Sequence, residues 1–193
     1  MSFHGLWCLL PVRADTVERY APELLPAIEA EAASAESAAL LRRWRAAGST
    51  EEIRDDLVGS AAPAALDTLI HRVYEAWEHG RVDALPRLVV SARKGYPAAA
   101  LAYALGPERF AALPGWFGDL VLSPEEVRRT LPAVGCAFTW TARERHEAAL
   151  RLAAALRDES DPADIDALLD GVPPVWRAAA DAGLGLLGAH FLP

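Results

Sequence analysis

Three groups of side chains in this sequence lie close enough together to share a metal or a proton. His71, Glu75 and His79 recur every four residues, which on a helix would line imidazole, carboxylate and imidazole along one face. Such a stripe could ligate a divalent metal, and these three are the candidate metal ligands. A helical wheel, however, sets His71, Glu75 and Glu78 nearly opposite Leu66, Ile70 and Val73, which turns the stripe toward water. Zinc also requires three or four ligands converging in a shaped site. The pair His146-Glu147 invites comparison with a zinc-protease helix, but Leu150 stands four residues after His146 and the pattern fails. His4 and Cys8 would share a face of a strand and could touch one metal or cofactor. Cys8 could act as a nucleophile only beside a base, which His4 or His190 would supply if the two ends of the chain pair. The alternative is a packed thiol with an incidental histidine.

A fourth group is aromatic. Leu113-Pro-Gly-Trp-Phe-Gly-Asp-Leu-Val-Leu122 interrupts a background of alanine and charge, with Arg109 just before it and Lys94-Gly-Tyr96 further upstream. Aromatic rings with a carboxylate and nearby cations commonly line small-molecule or peptide sites. Arg109, Trp116, Phe117 and Asp119 are therefore the candidate ligand-binding residues, the competing reading being a loop that caps the core. The chain has six tryptophans, each with a large area to bury and an N–H to satisfy, and most are expected in the core. Gly183-Leu-Gly-Leu-Leu-Gly188 matches a dinucleotide fingerprint in letters only. The chain ends five residues later, with no room for the helix that would cradle a phosphate, so these glycines read as a helix stop and close strand packing.

The elements that must position these groups are mostly helical. Ser2 to Pro11 is an apolar run stopped by proline and reads as a buried strand. A helix capped by Asp15 or Thr16 follows, interrupted by Pro22 and Pro26, and Ala27 to Ala47 forms one or two alanine-rich helices ended by Gly48. Ser49 to Glu52 begins a short helix closed near Gly59, and Ala62 to His79 is a longer one that stops at Gly80. Leu85 to Ser91 is a second strand and Pro97 to Leu105 another helix, while Leu113 to Leu122 is a structured loop entering a short strand. Ser123 and Thr141 each open a helix, the second running to about Asp158. Asp161 to Leu169 and the stretch from Pro173 to Gly183 are the last two helices, and Leu184 to Leu192 is the closing strand. Pairing of the terminal strands in the middle of a small sheet gives a helix-dominated α+β single domain over residues 1–193, with one or two middle strands completing the sheet.

Bulk composition narrows the function classes. The chain carries 19 basic and 27 acidic side chains, a net charge of -8, which disfavours nucleic acid as a partner. Lys94 is the only lysine, and arginine with abundant alanine suggests a GC-rich bacterial source. No basic residue precedes the first apolar run, as a secretion signal would require. The apolar run Gly183 to Pro193 is far short of the ~20 residues that span a bilayer. Cys8 and Cys136 sit among apolar neighbours, which fits buried, reduced thiols and a cytoplasmic location, a single disulfide between them being the alternative.

Leu122-Ser-Pro-Glu-Glu-Val127, the ending Val175-Trp176 through Gly185-Leu-Leu-Gly188, and a first strand running directly into helices at Ser2 to Val17 resemble the bacterial YfbM-like domain of unknown function. The resemblance covers scattered stretches of about half the chain. It implies a small α+β fold and carries over no catalytic residue. The expectation is a non-catalytic accessory module that binds a small ligand or a protein, without nucleic acid or membrane. An enzyme using Trp116 to Asp119 is the alternative, and a metal-binding protein a weaker one. No cofactor, substrate or oligomeric state can be read from the residues.

Overall fold

The apolar runs at the two ends of the chain form strands β1 (His4–Val12) and β4 (Gly185–Phe191), which pair antiparallel with Trp7 opposite His190 and Cys8 opposite Ala189. In the computed structural model, which describes residues 4–58, 65–93, 95–156 and 161–191, they are the central strands of a four-stranded antiparallel sheet. The edges are β2 (Leu88–Arg93), paired with β1, and β3 (Leu120–Leu122), paired with β4. The expected boundaries at Ser2, Gly59, Ala62, Asp158 and Leu192 lie outside the described residues.

Ten α-helices are present among the described residues: α1 (Ala14–Ala32), α2 (Ala35–Ala47), α3 (Glu51–Val58), α4 (Ile70–Gly80), α5 (Pro97–Leu105), α6 (Pro107–Phe110), α7 (Pro124–Ala137), α8 (Ala142–Ala155), α9 (Pro162–Asp170) and α10 (Val172–Ala182). The chain is thus a helix-dominated α+β protein. Helices α1 and α4 cover one face of the sheet, where a side chain at Gly185 would collide with Val17. Helices α5, α9 and α10 cover the other, with α7 packed on α10. Strand β2 alternates buried and exposed residues, so only its Leu88, Val90 and Ala92 face joins the core.

Both capping boxes form. Ser123 accepts from the Glu126 amide and Thr141 from the Glu144 amide, and each glutamate bonds back to the cap amide. Three boundaries differ from the sequence reading. Pro22 and Pro26 do not interrupt α1, because they lie four apart on its exposed face, where the carbonyls they leave unpaired reach solvent. Strand β2 starts after Pro86, which supplies no ladder hydrogen. The α-helix expected to begin near Ala62 begins at Ile70 instead, after a turn at Ala65–Leu66 and a single 3-10 turn at Asp67–Leu69. The reason for this late start lies in the candidate site.

Candidate functional site

Trp116 and Asp119 close a two-residue hairpin. The Trp116 amide donates to the Asp119 carbonyl at 2.8 Å and the Asp119 amide donates back at 2.9 Å. Both central residues have positive φ, Phe117 at 43° and Gly118 at 91°, the backbone of a tight primed turn. Only glycine fits the second position. A Cβ there would lie 2.5 Å from the Trp7 indole nitrogen and 2.6 Å from Ala98. Phe117 holds a left-handed backbone that a bulky residue adopts at a cost, offset by its ring, which packs 4.6 Å from that of Phe110 and 4.8 Å from that of Trp116.

This hairpin delivers Asp119 into the core, where it is completely buried. Its Oδ1 accepts from the His190 amide at 2.7 Å and its Oδ2 from the Leu66 amide at 3.2 Å, with the Ala65 amide also donating to the carboxyl. Among the described residues no arginine or lysine pairs with it. Burial pushes the carboxyl up to about 7, and the three amides only partly oppose that rise. These bonds also explain the late start of α4. The Leu66 amide turns to Asp119, and the residue settles, fully buried, in a turn rather than a first helical turn.

His190, on the neighbouring strand, is also fully buried, and neither ring nitrogen has a hydrogen-bond partner among the described residues. Its ring meets Tyr96 edge-on at 5.3 Å, and burial lowers its pKa to about 4, so it is neutral at pH 7. The terminal strands pair as the Cys8–His190 dyad required, but in a register that defeats it. Cys8 faces Ala189, whereas His190 faces Trp7 and projects from the opposite side of the sheet. The Cys8 thiol donates to the Ala189 carbonyl at 3.6 Å, and burial pushes it up to about 12, so thiolate chemistry is closed to it at neutral pH. His4, on the same strand, is exposed.

The four candidate ligand-binding residues do not form one open site. Trp116, Phe117 and Asp119 are buried and cap the core. Arg109 lies at the α7–α8 junction, where it donates to the Ala137 and Thr139 carbonyls at 2.8 and 2.7 Å and to Glu144 at 3.0 Å, its guanidinium 4.2 Å above the Trp140 ring. On α4, Glu75 is bound by Arg72 at 2.8 Å, and that hydrogen bond holds its carboxyl below the usual range. His79 Nδ1 donates to the Glu75 carbonyl at 2.7 Å, and His71 is exposed. His79 is exposed as well and Glu75 is half-buried, and among the described residues no three His, Cys, Asp or Glu side chains are grouped to hold a metal.

The sequence reading missed an apolar pocket of about 40 Å³ beside the hairpin, lined chiefly by Trp7, Leu101, Leu105, Phe110, Phe117 and Trp176. Both of its tryptophan N–H groups are engaged, that of Trp7 with the Gly118 carbonyl at 3.0 Å and that of Trp176 with Val127 and Thr130. Half-buried Leu113, Pro114 and Gly118 complete its mouth. The aromatic texture of 113–122 signalled the region. The walls from β1, α5 and α10 are distant in sequence and gave no signal. No protein-family model, curated protein or solved structure matches the chain at a significant level.

Proposed function

We propose that this chain is a non-catalytic binding module that takes a short alkyl or aromatic group of a small ligand into the pocket beside the Trp116–Asp119 hairpin. The observation that carries the reading is the composition of that pocket: apolar walls whose indole N–H groups are already bonded, with room for a small apolar group and no free polar group from either tryptophan. The groups that could have done chemistry are otherwise engaged, Asp119 with backbone amides and Cys8 as a buried thiol. A bacterial cytoplasmic setting belongs to the same reading, supported by two free cysteines, of which Cys8 is buried and Cys136, contrary to expectation, is exposed on α7, by the arginine-rich composition and by the resemblance to the YfbM-like family. No helix among the described residues is long and apolar enough to cross a membrane.

Indole N–H signals of Trp7 and Trp176, followed by NMR against a panel of short-chain alcohols, benzene and indole, test the proposal. Saturable shifts that vanish in Ala102→Leu, which fills the pocket, and persist in His71→Ala are expected. Equal responses in both variants, or none from any compound, overturn it and leave recognition of a protein partner as the reading to test. A second reading, an enzyme using the Trp116–Asp119 segment with Asp119 as general acid or base, draws on the Asp119 carboxyl that burial raises to about 7. Turnover of a panel compound, abolished in Asp119→Asn, would establish it.

A further inference from the structure

We propose that the outer edge of β3 is a docking site for a protein partner, which adds a short extended segment between β3 and α1, with an apolar side chain in the groove there and a lysine or arginine at its rim. The groove lies on the α1 side of the sheet, whereas the pocket beside the hairpin lies on the α5 and α10 side. The proposal is therefore independent of what that pocket takes.

The backbone of β3 points to strand addition. Asp119 sends both its amide and its carbonyl outward, to Trp116, and in an antiparallel ladder every second residue repeats that direction. Leu120 and Leu122 therefore turn to Gly188 and Leu186 on β4, and Val121 between them turns its N–H and C=O away from the sheet. The incoming arm of the hairpin could have met that pair, but Gly115, at φ 82°, bends it away to Leu113 and Pro114, which line the pocket on the other side. Val121 is 3% exposed, and among the described residues nothing donates to or accepts from its outward pair. A backbone donor and acceptor unpaired at a buried sheet edge are a template for another strand. Beside them a groove of about 200 Å³ runs between β3 and α1, walled by Leu25, Ile28 and Ala32 from α1 and by Val121 and Leu122. A residue added opposite Val121 would share its face of the sheet and place its side chain in this groove. Glu29 stands at the rim, exposed, and takes part in no ion pair among the described residues. A segment with lysine or arginine beside an apolar residue matches both features, and a chain of net charge -8 attracts it from a distance.

Two short peptides, acetyl-Lys-Leu-Val-Lys-amide and acetyl-Glu-Leu-Val-Glu-amide, test the proposal by NMR on the whole chain. With the lysine peptide the Val121 amide should shift saturably and gain protection against hydrogen exchange, and the glutamate peptide should bind roughly 5-fold more weakly. Glu29→Lys should reverse that order. Methylation of the Leu and Val amide nitrogens of the lysine peptide, which removes its strand donors, should abolish the response, a measurement that needs no variant of the protein. No saturable response at Val121, equal affinity for the two peptides, a methylated peptide that binds as well, or a response confined to the Trp7 indole N–H overturns the proposal. Protection of Val121 that rises with protein concentration alone also overturns it, and assigns the edge to a second copy of the chain.

Discussion

Asp119 and Glu75 are both carboxylates that the sequence marks for chemistry, and the fold moves them in opposite directions. Glu75 lies on the polar face of α4 and takes an arginine partner, Arg72, so its charged form is favoured. Asp119 is carried inward by a tight hairpin and completely buried, and burial raises its carboxyl against the opposing pull of the amides it accepts from. The contrast shows that partner type and solvent access, more than residue type, decide what an acidic side chain does. A surface pair of the Glu75 kind contributes little to stability, whereas a buried carboxyl serving several amides is structural to the fold.

The comparison can be broken most directly by removing each carboxyl in turn. Asp119→Ala leaves the Leu66, His190 and Ala65 amides without their acceptor, and urea unfolding at pH 5 should show a loss of about 3 kcal/mol. A loss under 1 kcal/mol would mean that the amides find other acceptors and that the carboxyl is not structural.

The next largest effect is on pH dependence. Asp119 has its folded affinity raised, so its contribution is present at low pH and lost as pH rises toward about 7. His190 has its folded affinity lowered to about 4, so its contribution is present above its unfolded value and lost as pH falls toward 4. Between pH 5 and 6.5 the two oppose each other, and the stability of the unaltered protein should be nearly level. His190→Leu should become less stable by about 2 kcal/mol as pH rises across that window, and Asp119→Asn should tilt by a similar amount the other way. Parallel profiles in the two variants would show that the groups do not titrate as their burial requires. Smallest of all, Glu75→Ala and His79→Ala should each leave the urea midpoint essentially where it is in the unaltered protein, and added zinc should leave the melting temperature in place. A zinc-dependent rise lost in either variant would restore the metal reading.

Much of the scaffold was legible because its signals are local. Ser123 with Glu126, and Thr141 with Glu144, specify helix starts from four residues each, and both boxes form. The apolar ends of the chain read as central strands because a strand covered on both faces needs no alternation. The prolines of α1 misled because proline's effect depends on which face it occupies, and Pro22 and Pro26 share the solvent face. The start of α4 was misplaced because a carboxyl more than fifty residues away captures the Leu66 amide. Asp119 itself carried a partial signal, a single acid between an aromatic pair and an apolar strand, as did His190 within an otherwise apolar run.

By itself, then, the sequence determined the helix-dominated α+β class, the central terminal strands, the capped helices and the aromatic segment where the site lies. Periodicity, caps and turn residues act within a few positions and are therefore written in the order of the chain. The tertiary structure alone decided that Cys8 and His190 point away from each other, that Arg109 is held by the carbonyls at the α7–α8 junction, and that Asp119 is buried among amides beside an apolar pocket. Each of these depends on strand register or on packing between distant segments, where one residue of slip exchanges a buried face for an exposed one.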